Sequence, residues 1–576
     1  MSIPLSLTKC RAFFAQPETP RHRQYEALRA YYLEELPSAE AARRFGYSPT
    51  SFRVLCSQFR RDHDRHFFHQ PQRGPKTQPK KSAAKDLILE LRKQNRSIYE
   101  ISQVLKDRGM LLSPAAVGEV LKAEGFARLP RRLEEERTPG PQPTVEAIAD
   151  VRSFTLAPTE FSTACGGLFL FIPDLVHLAA QNLADTAHLP GSAMIPAEHA
   201  LRSSLALKLW SIERKSHVMS LVADQGLSLF AGLNAIPKRS FLSEYSHRID
   251  HIKTTHLLAA WQQAVSNTGL IDGTSFNLDF HSVPYFGEHP VVETHYVAMR
   301  SRGQPSALVF LAQDAAGHAF CYSNADIRRG EERDEILRFI DFWKKNRGEL
   351  PKHLVFDSQL TTYANLAKVD AMGITFITLR RRSRELVKEV VNLAPSAWRT
   401  VNLDVPTRKF QNPRVFEQRI TLEGCKLRQF FIQDLGHEQP TILITNDLTT
   451  SVVKLITRYA QRMLIENSLS DAVRFFHINA LSSAVALKID FDMALTVIAS
   501  GLYRLLAKRM RGYGDAQARL IFRDLIQMPA TVRVTDAEVV VNFHRRAHLP
   551  IIMASGLLEK PVSVPWWNGK SLRMTA

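Results

Sequence analysis

The chain has 576 residues, 45% hydrophobic and 23% charged, so it is too long for a single core and too apolar for a disordered class. Its 75 Lys+Arg against 57 Asp+Glu give a net charge of +18 and a pI near 9.7, the electrostatic footprint of a nucleic-acid binder. No apolar run reaches the roughly 18 residues of a membrane span, no secretory leader is expected, and five scattered cysteines without a C-x-x-C pair argue against zinc modules and disulfide frameworks and fit a reducing compartment.

Residues 1–140 hold 26 Lys+Arg and 16 Asp+Glu, so ten of the eighteen net positive charges fall in the first quarter. Residues 24–35 are helical in pattern. Residues 37–61 then read as helix-turn-helix, with Ser38 capping a short helix, Gly46 supplying the turn, and Ser48 capping a second helix that starts at Pro49. That second helix carries Arg53, Arg60 and Arg61 and is the one expected to read a DNA groove. A basic, proline-rich linker at 70–82 leads to another three-helix unit, in which Ser97 and Glu100 form a capping box and Gly109 turns the chain. Residues 128–143 form a second charged, proline-rich linker.

Residues 145–268 are helical in pattern, and their histidines lack metal-ligand spacing. A basic stretch at 238–265, with Arg239, His247, Arg248, His251 and Lys253, is either a DNA-lining surface or a solvated face.

From Gly273 the periodicity changes to alternation. Strands are expected at 276–280, 292–300 and 307–319, the last two separated by a turn at 301–305. A helix at 332–345, a strand at 353–357, a helix at 358–371 and a strand at 373–379 follow. That order is the order of an RNase H-like α/β core. It sets Asp279 on the first strand and Asp357 at the end of the fourth. Arg380, Arg381, Arg382, Arg384 and Lys388 form a basic cluster after it, a DNA contact or a solvated turn. Strand-like runs between 398 and 446 make a β-rich insertion.

Residues 457–472 read as one helix. Tyr459, Arg462 and Glu466 fall at i, i+3 and i+7, on one face. Arg462 and Glu466 alone make an ordinary i, i+4 pair. With Asp279 and Asp357, however, Glu466 completes a set of three acids carried by the elements a catalytic core would use. Beyond it, 482–510 reads as core helix, 530–547 alternates, and 561–576 reads as an extended or disordered tail.

Tyr459, Arg462 and Glu466 match the Y-x2-R-x3-E portion of a helix signature, Y-x2-R-x3-E-x6-K, and residues 443–448 resemble the strand and turn that precede it. By these residues the chain resembles insertion-sequence DDE transposases over roughly 150–510. The lysine position of the signature is Val473, with Arg474 and His477 within reach of the same face. The resemblance implies a multidomain α plus α/β chain. Its parts would be tandem helix-turn-helix units at 20–69 and 83–127, a helical domain at 145–268, an RNase H-like core in two parts at 270–393 and 448–512, a β-rich insertion at 394–447, and a carboxy-terminal extension at 513–576.

The resemblance further implies an enzyme that cuts transposon ends and joins them to target DNA by phosphoryl transfer. Asp279, Asp357 and Glu466 would be its catalytic, metal-holding residues. Two Mg²⁺ (or Mn²⁺) ions are expected, about 3.5–4 Å apart; hard oxygen donors suit them. Tyr459 and Arg462 would contact DNA beside the metals. The implied partner is double-stranded DNA, in a homodimeric complex, with no membrane, in the nucleoid of the cytoplasm. Two other readings stay open: an inactive, transposase-derived DNA-binding regulator, and a metal-dependent nuclease without strand transfer.

Overall fold

The computed structural model describes residues 5–64, 67, 79–94, 96–126, 154–285, 293–297, 302–327, 330–357, 362–403, 410–435, 439–480 and 486–576. The chain forms two compact units, Met1–Thr144 and Val145–Ala576. Helices and mixed sheets both contribute. Among the described residues no single helix is long and apolar enough to cross a membrane. The linker expected at 128–143 and residues 70–78 of the one expected at 70–82 lie outside the described residues, whereas 79–82 already belong to helix Pro79–Lys93.

The first unit is helical and has two separate cores. In the first, helix Pro20–Tyr32 packs with Ser38–Arg44 and Pro49–Arg61 around Ala27, Phe45 and Phe52. Gly46 takes φ +71 between the last two helices, a left-handed turn that glycine adopts without the Cβ penalty. The Ser48 hydroxyl accepts from the Ser51 backbone N–H, capping Pro49–Arg61. Ser38, by contrast, is the first helical residue, and Pro37 holds the cap position without a side-chain bond. The second core, around Ile88, Ile101, Leu105 and Val117, joins helices Pro79–Lys93, Ile98–Asp107 and Pro114–Ala123. Ser97 and Glu100 form the expected capping box.

The second unit starts with strand β1 (Thr159–Thr163) and a run of helices. Next comes β2 (Ser275–Pro284), then β3 (Thr294–Val297), β4 (Arg302–Asp314), β5 (Phe320–Asn324), β6 (His353–Phe356), β7 (Thr375–Leu379), β8 (Arg399–Thr400), β9 (Arg414–Leu422), β10 (Cys425–Gln433) and β11 (Thr441–Thr445). These build one sheet in the order β3-β4-β2-β6-β7-β11-β10-β9-β8, with β5 also on β4. β2 is central: antiparallel to β4, parallel to β6, which is in turn parallel to β7. Phe276, Asn277 and Leu278 are all buried, as a strand covered on both faces requires. The strands at 398–446 extend this sheet beyond β7 through β11.

Three expectations need correction. Residues 302–305, expected in a turn, are strand, since β4 begins at Arg302 and pairs with the short β3 through Gly303 and Pro305. The strand expected at 307–319 ends at Asp314, and β5 begins only at Phe320, because the Asp314 carboxylate accepts from the backbone N–H groups of Gly317 (2.6 Å) and Gly273 (2.8 Å) and so fixes a turn between them. The tail at 561–576 is folded. β12 (Ala530–Val534), β13 (Glu538–Phe543), β14 (Val562–Ser563) and β15 (Ser571–Thr575) join β1 in a second sheet, ordered β1-β12-β13-β15-β14. Two tryptophans anchor the tail: Trp566 and Trp567 are buried, and the Trp567 indole donates to the Leu229 carbonyl at 2.8 Å. One apolar core runs from Cys165 through Phe276 and Ala494 to Met574, so the helices of 154–268, the large sheet and the carboxy-terminal strands are packed together.

Candidate active site

The site starts from strand register. β2 and β6 pair Leu278 with Phe356, so the next residue on each, Asp279 and Asp357, lie side by side at the carboxyl end of β6. Neighbouring strands are about 4.8 Å apart, and parallel residues in register point to the same face. Two acids from segments 78 positions apart in sequence thus share one sheet edge.

The third acid comes from the helical segment packed on β2. Expected as one helix, it is two: Val452–Gln461 and Met463–Arg474, joined at Arg462. There the hydrogen bonding tightens, with Arg462 N–H donating to Tyr459 O at 3.0 Å and Ile465 N–H to Arg462 O at 2.9 Å. The shared face survives the break. The Arg462 guanidinium sits 5.9 Å from the centre of the Tyr459 ring, 3.3 Å from Asp279 Oδ2 and 3.8 Å from Glu466 Oε1. Arg462 is 11% exposed and Asp279 20%, whereas Glu466 is 53% exposed and stands at the rim.

Burial lifts the Asp279 carboxyl to about 6; Arg462 and the Phe280 backbone N–H pull it down, and the charges of Asp357 and Glu466 push it up again. Burial likewise raises the Tyr459 phenol to about 12. Tyr459, Asp279, Asp357, Glu466 and Arg462 therefore feel one another across a single small volume.

The donors fit a hard divalent cation in kind, since all three acids offer only carboxylate oxygen. Their spacing is another matter. Among the described residues no three His, Cys, Asp or Glu side chains close around one metal position. The positive charge here is that of Arg462. Its two contacts are long beside the 2.7–2.9 Å usual for charge-assisted bonds, and its Nη1 makes no aligned hydrogen bond. The guanidinium rests among the acids without being locked to any of them.

Residues that spacing did not single out hold this arrangement. Arg458, one turn before Arg462, donates to Asn277 Oδ1 at 2.9 Å and Ser275 Oγ at 2.8 Å, both on β2. Asn277 donates to Gln313 Oε1 at 3.1 Å, and Gln313 donates to Ser468 Oγ at 2.6 Å, beyond Glu466. The chain Arg458–Asn277–Gln313–Ser468 pins the helix pair to β2 and β4 on both sides of the acid. A buried Asn and Gln on two adjacent strands were the available signal. His281, half-buried on β2, pairs with Asn479 Oδ1 at 2.7 Å and extends the clasp.

The remaining candidates are scattered. Arg53, Arg60 and Arg61 are exposed on helix Pro49–Arg61 in the first unit. Arg380 is half-buried and its Nη1 donates to Gln429 of β10, which turns it into the protein; Arg381 and Arg382 are exposed, Arg382 donating to Gln439 at 2.9 Å. Val473 packs against the core, and His477 bonds to Ser211, so the histidine does not stand in for the signature lysine.

No protein-family model and no curated protein matches the chain. Among solved structures it is similar to a piggyBac transposase synaptic complex with hairpin DNA, at 10% identity and a TM-score of 0.30, over 63% of this chain and 83% of that one. It is also similar to a pre-cleavage Mos1 transpososome, at 8% identity and a TM-score of 0.13, over 62% of this chain and 77% of that one. Likenesses this distant carry no weight for the activity, which has to be read from the residues themselves.

Proposed function

We propose that the chain is a DDE-type DNA transposase with an RNase H-like core, cutting transposon ends and joining them to target DNA. One observation carries the reading: the register of β2 and β6 pairs the residues just before Asp279 and Asp357, and Arg462 lies within 4 Å of both Asp279 and Glu466. The order β5-β4-β2-β6-β7, antiparallel on one side of β2 and parallel on the other, is the strand order of an RNase H-like sheet and supports it.

In this reading Asp279, Asp357 and Glu466 hold two Mg²⁺ or Mn²⁺ ions. When bound, such ions activate a water or 3′-hydroxyl and stabilise the leaving oxygen. Asp279 must be ionised to serve, which its carboxyl is above pH 6. Arg462, displaced from the acids, is left with a planar fork suited to a DNA phosphate, and Tyr459 flanks it. Arg53, Arg60 and Arg61 would hold the end sequence through a helix-turn-helix; Arg381 and Arg382 would meet DNA backbone, with Arg380 positioning the turn that carries them. A homodimer on DNA and a nucleoid location belong to the same proposal.

A second reading, a DNA-binding descendant that no longer cuts, is favoured by the guanidinium lodged among the acids and by the apolar Val473. The test is Mg²⁺-dependent cleavage of DNA carrying the element's own ends. Cleavage by the wild type, lost in Asp357→Ala with binding retained, supports the enzyme. Binding without cleavage by the wild type supports the second reading, and cleavage retained in Asp357→Ala overturns the site.

A further inference from the structure

A cleft of about 510 Å³ that none of the three acids lines lies between helix Ala197–Leu209, the short helix Lys215–Ser220, the segment Arg239–Arg248 and the start of helix Ala486–Arg509. Its cations are out of balance. Lys208 is satisfied by Asp492 at 2.5 Å and the Phe476 carbonyl at 2.8 Å, and Arg214 lies 3.7 Å from Glu213. Lys215 and Lys488 line the same cleft, and among the described residues neither has a carboxylate within 4 Å. Among the described residues the Lys215 ammonium donates to the Ser246 hydroxyl alone.

Buried charges are paired or bound to a counter-ion as a rule, because desolvating an unpaired one is costly. Burial lowers Lys215 to about 8; Lys208 and Lys488 push it down further, and Asp492 works against them. Burial also lowers Lys488. His247, on the facing segment, is lowered by burial and by the same two lysines, with Glu244 opposing. Two ammonium groups and an imidazole thus line one cleft, and the lysines hold down the charge of the imidazole. Ser216 and Ser243 add hydroxyl donors at its wall.

We infer that this cleft is a phosphate-binding site, with Lys215 and Lys488 as its cationic ligands and His247 and the wall serines as further donors. Lysine serves phosphate as a point charge with three donors. The phosphate is either a diester of bound DNA or a free or terminal phosphate; the donors are the same for both. The inference does not depend on the three acids or on cleavage.

The probes are inorganic phosphate and a short DNA duplex, each titrated against the full chain, with Lys215→Gln and Lys488→Gln as variants. For a free or terminal phosphate, inorganic phosphate raises the melting temperature of the wild type, each variant weakens it at least tenfold, and the ε-carbon NMR signal of Lys215 titrates at higher pH when phosphate is present. For a DNA diester, inorganic phosphate acts weakly, and each variant lowers the slope of log affinity against log salt by about 0.9. Lys215→Gln removes a half-buried charge with no carboxylate within 4 Å among the described residues, so the free variant is expected to fold about as stably as the wild type. No phosphate effect and an unchanged salt slope in both variants overturn the assignment.

Discussion

Arg462 Nη1 stands 3.3 Å from Asp279 Oδ2, and the same guanidinium reaches Glu466 at 3.8 Å: one cation serves two acids that strand and helix bring together, with a third beside them. Removing it leaves negative charges facing one another in a largely buried site. Arg462→Met is therefore expected to lose on the order of 2–4 kcal/mol of stability in chelator, the cost of stranding a buried charge. Saturating Mg²⁺ should then stabilise the variant more than the wild type, because the acids no longer choose between two cations. Calorimetry with and without Mg²⁺ reads both effects; a Mg²⁺ shift no larger in the variant shows that Arg462 does not occupy the cation's place.

Asp279 allows a test with a fixed sign. Its carboxyl titrates at about 6 in the fold against 3.8 ordinarily, so the folded protein holds a proton that the unfolded chain releases earlier. The stability this group supplies is complete below about pH 4 and is lost as pH rises through 6, a difference on the order of 2–3 kcal/mol. Asp279→Asn does not titrate. It is expected to match the wild type at pH 4 and to exceed it at pH 7.5, by less than the full amount because Arg462 loses an attraction. Metal affinity of the wild type should rise with pH through the same window, with proton release on binding. Urea titrations at the two pH values check the first claim. A variant less stable than the wild type at pH 7.5 rejects it.

The parts of this site legible in the sequence are those fixed by local spacing. Asp357 closing an apolar strand, and Tyr459, Arg462 and Glu466 on one helix face, follow from periodicities of two and 3.6. The adjacency of Asp279 and Asp357 depends on a parallel pairing of β2 with β6, which no local pattern specifies. The helix break at Arg462 was hidden because every residue around it is a good helix former. The end of β4 at Asp314 is not legible because Ala315 and Ala316 carry no breaker signal of their own, and the turn is made by the carboxylate of Asp314. The folded tail escaped notice because Trp566 and Trp567 find their partners more than 300 residues away in sequence, Trp567 at Leu229.

The polar chain behind the site carries its own expectation. Gln313 links β4 to the helix bearing Glu466 through Asn277 on one side and Ser468 on the other. Gln313→Leu keeps the volume and cuts both bonds, leaving Asn277 short of a partner at a cost of about 1–3 kcal/mol. Glu466 then loses a positioning contact, and a displacement near 1 Å lowers turnover by roughly 100-fold. DNA affinity, read on the same preparation, should be unchanged. Full turnover in Gln313→Leu would show that the helix is held by packing alone.

Val473 occupies the position where the signature has lysine, and it packs against the core. Val473→Lys is therefore expected not to complete a missing function. It trades apolar contact for an ammonium that must reach past Ala472 and Phe475 to water, at a cost on the order of 1–3 kcal/mol. The melting temperature should fall and strand processing should not improve. A variant with higher activity and an unchanged melting temperature would reopen the lysine's role.

The first unit offers a test separate from the chemistry. Arg53, Arg60 and Arg61 are exposed on the helix capped by Ser48, whose buried face carries Phe52, Leu55 and Cys56. Their removal disturbs no core residue, so each Ala variant should fold within about 0.5 kcal/mol of the wild type. A side chain that meets only phosphate weakens binding to every duplex equally and lowers the salt slope by about one. One that meets a base edge costs roughly 1–3 kcal/mol on the cognate end and little elsewhere. Arg53, in the first turns of the helix, is the one placed to reach bases; Arg60 and Arg61, at its end, are placed for backbone. Binding curves on cognate and scrambled duplexes at several salt concentrations separate the two roles, and three variants that bind both duplexes as the wild type does remove this helix from the DNA interface.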